Sequence, residues 1–232
     1  MNKILAFIPA RAGSKGIPNK NIKSFNGKPL IEWTIRSALQ SKLISKVVVS
    51  SDSKKILSIS KKLGTNTILR PKNISSDSAK TESAIRHFIK KSKELFDVIV
   101  LLSPTSPVRK MTDIDNAIKF FYSKNLDSCF SGSKLNDFLI WDFDINKKRF
   151  KSLNYDFKKR GIRQDRKSGY VENGSIYISK LNLIMKKNNR IGGKFDIFTM
   201  DFWQSFEIDE KEDWNLLEII HKTYLKGVYE KK

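Results

Sequence analysis

The chain has 232 residues, 39% hydrophobic and 30% charged, the balance of a soluble globular protein with enough length for a real core. Its single cysteine, Cys129, and its two histidines, His87 and His221, exclude an intrachain disulfide, a cysteine-based zinc site and a histidine-rich metal centre. The net charge of +21 points to anionic ligands. The basic residues are spread along a Lys-, Asn- and Ile-rich chain with no long basic tail, so no dedicated nucleic-acid role is expected.

Lys3 to Ile8 is a short apolar run that reads as a buried strand. A helix pattern follows from Pro29, whose missing N–H costs nothing in a first turn, and its apolar face runs through Leu30, Trp33 and Ala38. Lys46 to Ser50 is the next strand, Ser53 to Leu63 a helix closed by Gly64, and Asn66 to Leu69 a third strand. A helix over Thr81 to Lys93 precedes a central strand, Asp97 to Leu102, and another helix starts near Thr112, where Asp113 and Asp115 suit the first turn. From about Ser133 to Gly169 the pattern breaks into short pieces mixed with basic runs, an expected inserted arm serving as a lid or for dimerisation. Gly174 to Ile178 and Phe195 to Met200 read as strands and Trp214 to Tyr224 as a closing helix.

This βαβα order predicts an α/β fold: one domain over 1–232 with a mainly parallel sheet flanked by helices and the arm at 133–169 within it. A ligand is expected outside the carboxyl ends of the strands. No apolar run is long enough to span a membrane, and the apolar stretch Ile4 to Ile8 is too short for a signal peptide, so a cytoplasmic address is expected.

The first strand runs into Pro9-Ala10-Arg11-Ala12-Gly13-Ser14-Lys15-Gly16-Ile17-Pro18-Asn19-Lys20-Asn21. Small residues let the backbone approach a ligand and aim N–H groups at an anion, while Arg11, Lys15 and Lys20 add full charges. Arginine suits bidentate phosphate contact and lysine supplies a mobile point charge. The loop is neither a Walker A sequence nor a dinucleotide fingerprint. A merely solvated basic turn explains it poorly.

Three acidic pairs have i, i+2 spacing, which puts both carboxylates on one face of an extended strand. In Glu207-Ile208-Asp209 the carboxylates would point together at a Mg²⁺ while Ile208 enters the core, or they would cap the following helix. Asp113 and Asp115 read as helix caps, and Asp142 and Asp144 as surface beside Lys147, Lys148 and Arg149. Arg163-Gln164 lies a short loop before Asn173-Gly174-Ser175-Ile176-Tyr177. Locally these are a loop arginine, a turn and a strand tyrosine.

The stretch IPARAGSKGIPNKNI resembles the first motif of the CMP-sialic acid synthetases (acylneuraminate cytidylyltransferases). The likeness continues through KPLIEWTI, VVVSSDS, LRPKNISSD, LLSPTSPVR, RQDRKSGYVENGSIYIS and FEIDEKED, nearly the whole chain except Ser133 to Lys159. It implies a Rossmann-like nucleotidyltransferase fold and a reaction of CTP with a nonulosonic, nine-carbon sugar acid to give the CMP-sugar and pyrophosphate. It implies Mg²⁺ (or Mn²⁺) held by Glu207 and Asp209, and a homodimer formed through the arm. Arg11, Ser14, Lys15, Lys20, Asn21 and Thr81 would bind the nucleotide, with Arg11, Lys20 and Asp209 serving catalysis. Arg70, Ser103, Arg163, Gln164, Asn173 and Tyr177 would form the sugar site. Ser103 stands where glutamine is frequent, Glu207 where aspartate is, and Val171 where some members have a basic residue. These departures leave open legionaminic acid or another nonulosonic acid as substrate. Three alternatives compete: a glycosyltransferase using Asp142 and Asp144, a basic module for RNA or membrane surfaces, and an octulosonate cytidylyltransferase, whose first loop generally lacks the G-S-K-G order.

Overall fold

The computed structural model describes residues 2–14, 16–76, 78–136, 138–165 and 169–225. The first half contains β1 (Ile4–Pro9), β2 (Ser24–Phe25), β3 (Lys28–Pro29), α1 (Leu30–Gln40), β4 (Lys46–Ser51), α2 (Lys54–Lys62), β5 (Asn66–Leu69), α3 (Thr81–Lys91) and β6 (Val98–Leu102). The second half contains α4 (Asp113–Ser123), β7 (Ser128–Leu135), β8 (Trp141–Asp144), β9 (Arg149–Ser152), β10 (Gly169–Lys180), α5 (Leu181–Lys187), β11 (Phe195–Met200) and α6 (Lys211–Leu225).

Seven strands form the central sheet in the order β11-β7-β10-β6-β1-β4-β5. Neighbouring pairs are parallel except where β10 lies antiparallel between β6 and β7. The α/β fold with a mainly parallel sheet is therefore as the sequence implies. Alternation along β1 explains the layering. Ile4, Ala6 and Ile8 face a core shared with α1, α2 and α4, while Leu5 and Phe7 face one shared with α3 and α5. Local signals agree: the Ser53 hydroxyl accepts from the Ile56 N–H at the start of α2, and Gly64 takes φ +90° just past its end. A third cluster packs α6 against α1 and the β2–β3 hairpin, with Ile208 fully buried among Phe25, Leu30 and Trp214.

Several boundaries differ from the sequence reading. β7 and α5 were not expected, α3 stops at Lys91, and α6 begins at Lys211. β10 has 12 residues and starts at Gly169, well before Gly174. Because β7 runs to Leu135 and β10 starts at Gly169, both edges of the expected 133–169 arm belong to the central sheet. Between them, β8 and β9 form a separate hairpin that exposes Phe143 and Phe150.

Candidate active site

At the carboxyl end of β1 the chain enters the loop singled out in the sequence. Two side chains fix its path: Asp52 Oδ1 accepts from the Ala12 N–H at 2.8 Å, and Asn21 Nδ2 donates to the Arg11 carbonyl at 2.9 Å. Ile17 is buried and Asn19 takes φ +54°, which turns the chain toward Lys20. The Lys20 ammonium is buried and donates to the Ile208 carbonyl at 2.5 Å and to Asp209 Oδ1 at 3.1 Å. Gly16 closes the same junction, since a Cβ there would lie 2.2 Å from the Asp209 carbonyl oxygen. Loop and acidic segment are thus in direct contact. Lys15 lies outside the described residues.

A cavity of about 300 Å³ opens over this junction, and Arg11, Ser14, Lys20, Asn21, Thr81 and Asp209 are among its walls. Arg70, which follows β5, also faces it. Arg70 is only 7% exposed, and its Nε and Nη2 have no hydrogen-bond partner among the described residues. Burial holds its pKa below the usual arginine range, with the Asp52 charge opposing and Arg11 adding to the effect. A buried guanidinium without hydrogen bonds is costly unless an anion completes it. The structure therefore brings Arg70 to the cavity of Arg11 and Lys20. The buried Asn21 Oδ1 likewise has no donor.

Glu207 and Asp209 lie in an irregular segment that joins no sheet and bends at Asp209, instead of the expected extended strand. The Ile208 N–H donates to the Thr105 carbonyl at 2.8 Å, and the Ile208 side chain is buried in the core. The flanking carboxylates border adjoining cavities that share Pro9, Thr81 and Ser103 as walls. Glu207 Oε2 accepts from Thr105 Oγ1 at 3.0 Å, and Thr105 pairs with the Ser103 hydroxyl at 2.8 Å. The Glu207 carboxylate lies against Gly174, where a Cβ would sit 1.5 Å from Oε1. Burial raises the Glu207 pKa; Thr105 counters this by hydrogen bonding, and the Asp209 charge raises it further. Helix capping falls to Asp213, whose Oδ2 accepts from the N–H groups of Asp209 and Glu210.

The other acidic pairs have structural tasks. Asp113 accepts from the Lys110 N–H and from Gln204 Nε2, each at 2.7 Å, and Asp115 accepts from Ser41 and the Lys42 N–H. Asp144 accepts from two N–H groups in the hairpin turn, and Asp142 is exposed on β8. The latter pair borders none of the cavities described here, which removes the local support for a glycosyltransferase.

The expected sugar residues divide. Ser103 and Tyr177 line the Glu207 cavity. The Asn173 amide is directed into the protein: Oδ1 accepts from Ser131 Oγ at 2.6 Å and from the Ser175 N–H at 3.2 Å, and Nδ2 donates to the Gln204 carbonyl at 3.0 Å. It fixes the irregularity in β10 where Gly174 takes φ +62°. Arg163 and Gln164 are exposed in a short turn between β9 and β10 and border none of these cavities.

Two arginines for which no motif predicts a role are central. Arg109 is 1% exposed; it donates to the carbonyls of Ser103 and Ser175 and, at 3.0 Å, to Thr34 Oγ1. It thereby ties the end of β6 to β10 and α1. Arg190 forms an ion pair with Glu82 at 2.7 Å and lies 4.9 Å from the Tyr177 ring centroid. Apart from the Ser103 carbonyl, their partners are distant in sequence, and a backbone carbonyl leaves no local spacing to announce either one.

A family model described as cytidylyltransferase matches residues 5–232. N-acylneuraminate cytidylyltransferase of Escherichia coli O18:K1:H7 is 31% identical over 218 residues, 92% of this chain and 51% of that protein. CMP-N,N'-diacetyllegionaminic acid synthase of Legionella pneumophila is 32% identical over 221 residues, 93% of this chain and 95% of that one. The chain thus spans about half the length of the Escherichia coli relative. Among solved structures, CMP:2-keto-3-deoxy-manno-octonic acid synthetase complexed with CTP shares the fold, with TM-score 0.71, 15% identity and coverage of 95% of this chain and 99% of that one.

Proposed function

The chain belongs to the cytidylyltransferase family, and we propose that it joins CTP to a nonulosonic acid, forming the CMP-sugar and releasing pyrophosphate. The observation that carries this reading is the buried, unpartnered Arg70 guanidinium facing the same cavity as Arg11, Lys20 and Asp209. Such a cup suits a triphosphate and supports the charge that develops on departing pyrophosphate. Arg11, Arg70, Ser14 and Lys15 hold the phosphates. Asn21 Oδ1 and Thr81 face the nucleoside. Lys20 keeps Asp209 beside the phosphates while adding its own charge. The anomeric oxygen of the sugar acid attacks the α-phosphorus, the bond to the β-phosphate oxygen breaks, and the hydroxyl proton is released.

Mg²⁺ or Mn²⁺ is the cofactor of this reading. Glu207 and Asp209 would hold it: oxygen donors on the walls of adjoining cavities, with burial and the Asp209 charge already opposing the charge on Glu207. When bound, the ion neutralises phosphate charge. On the sugar side, Ser103 and Tyr177 line the cavity while Asn173 positions Gly174 from behind.

The reading extends to a homodimer of one catalytic domain over 1–232. Trp141, Phe143, Phe150 and Phe157 are exposed on and beside the β8–β9 hairpin, an apolar surface suited to a second copy. A partner reached this way would receive Arg163 and Gln164. No described helix is long and apolar enough to cross a membrane. A cytoplasmic setting completes the proposal. Pyrophosphate release with CTP and a panel of nonulosonic acids tests the activity. Turnover that falls at least 100-fold in Arg11→Ala supports it, and absence of turnover with every sugar acid overturns it. Sedimentation of the intact chain, against a Phe143→Glu/Phe150→Glu variant, tests the dimer.

A further inference from the structure

The Glu207 cavity is small, about 130 Å³, and it shares the walls Thr81, Tyr177 and Arg190 with a larger cavity of about 780 Å³. A substituent that extends from the first toward the second meets Arg190 on the wall common to both. We infer that Arg190 is a specificity-determining residue whose guanidinium donates to a neutral, oxygen-bearing substituent of the sugar acid at this passage. The inference rests on the cytidylyltransferase reading above.

Three contacts hold the guanidinium still. Nε donates to Glu82 Oε1 at 2.7 Å, Nη2 donates to Glu82 Oε2 at 3.3 Å, and the group lies 4.9 Å from the Tyr177 ring centroid. Tyr177 is itself fixed, because its hydroxyl donates to Glu172. No described residue accepts from the remaining nitrogen, Nη1. The side chain is therefore oriented in advance, the condition under which a polar group discriminates well.

Charge decides which chemistry fits. The Arg190–Glu82 pair is neutral as a unit, and the wall of the larger cavity adds one carboxylate, Glu172, and two ammonium groups, Lys80 and Lys187. The charge of Arg190 is already matched by Glu82, so Nη1 needs an acceptor oxygen and no second anion. An acylamino carbonyl or a hydroxyl carries an acceptor oxygen without charge and completes the guanidinium. A site built to bond such an oxygen rejects the analogue that lacks it, because its donor is then left unpaired.

The test uses the intact chain, CTP and a nonulosonic acid bearing acylamino groups, with analogues that each lack one oxygen-bearing substituent. Arg190→Met alone would strand the buried Glu82 carboxylate, so the neutral pair E82Q/R190M is measured with it. R190K, which keeps the charge but withdraws the forked donor, is measured as well. The expected result is a rise of about tenfold in KM for the sugar acid, from loss of a hydrogen bond made by a charged group, with KM for CTP within about twofold. One analogue should be disfavoured by the native protein and no longer disfavoured by the variants. Folded variants with unchanged sugar KM and unchanged discrimination would overturn the role of Arg190 alone. If the native protein makes no CMP-sugar from any acid in the set, the failure belongs to the cytidylyltransferase reading and is seen before any variant is compared.

Discussion

The Lys20 ammonium bridges two segments nearly the whole chain apart, donating to Asp209 Oδ1 at 3.1 Å and to the Ile208 carbonyl at 2.5 Å. The bridge registers the first loop against the acidic segment, with the ammonium buried and the Asp209 carboxylate exposed to the cavity side. Lys20→Met keeps the stem and removes the charge. We expect kcat to fall by about 100-fold or more, the scale of losing one preorganised electrostatic contact, in a steady-state pyrophosphate assay.

Arg70 predicts opposite effects on stability and binding. Its desolvated guanidinium lacks hydrogen bonds at Nε and Nη2 in the free protein. Arg70→Met is expected to stabilise the free protein by about 1 kcal/mol in denaturant titration, since it removes a desolvated charge that the Asp52 carboxylate offsets only in part. The same variant should weaken CTP binding by about 10- to 100-fold in calorimetry, the loss of a charged hydrogen bond. A variant less stable than the native protein would contradict this account.

At Gly174 two requirements coincide: φ is +62°, and a Cβ would overlap Glu207 Oε1 at 1.5 Å. Gly174→Ala should cost about 2 kcal/mol of stability from backbone strain. It should also push the Glu207 carboxylate aside, raising the Mg²⁺ concentration needed for half-maximal rate. Melting and metal titration read the two effects separately.

Arg109 is a structural counterpart to Arg70, with its donors satisfied by Ser103, Ser175 and Thr34. Arg109→Met removes the charged donor from all three groups, leaving the Ser103 carbonyl with Thr34 Oγ1 and the Ser106 N–H and the Ser175 carbonyl with the Ser103 N–H alone. A loss of about 3 kcal/mol or more is expected in urea unfolding, the scale of breaking a buried polar network.

His221 gives a pH dependence. It is buried against Phe25 and Trp33, and burial pushes its pKa from 6.5 down to about 4. Between those values the unfolded chain binds a proton that the folded chain does not. The stability from keeping His221 neutral is thus complete above pH 6.5 and is lost as pH falls toward 4, by about 3 kcal/mol in all. Urea titrations at pH 7.5 and 4.5 should show that loss in the native protein, and a smaller one in His221→Phe.

The alternation of strands and helices was legible because β1, β4 and β6 are apolar runs bounded by polar turns. The first loop was legible because glycines and cations crowd it. β7 was not, because buried Ser128, Ser131 and Ser133 hide its core character. Their hydroxyls are satisfied by Gly192, Asn173 and Asp201, partners that only the tertiary fold supplies. Asn173 reads alone as a turn residue, yet its amide bonds in four directions inside the protein. Arg109 and Arg190 gain meaning chiefly from Ser175, Thr34 and Glu82, partners far away in the chain.

β10 runs from the base of the projecting hairpin to the core beside β6, and its register breaks once, between Glu172 and Tyr177. Gly174, the cradle of Glu207, sits in that break, with Tyr170 on the outer side of it. A load arriving along the outer half of the strand therefore meets the cradle before it reaches the half anchored on β6.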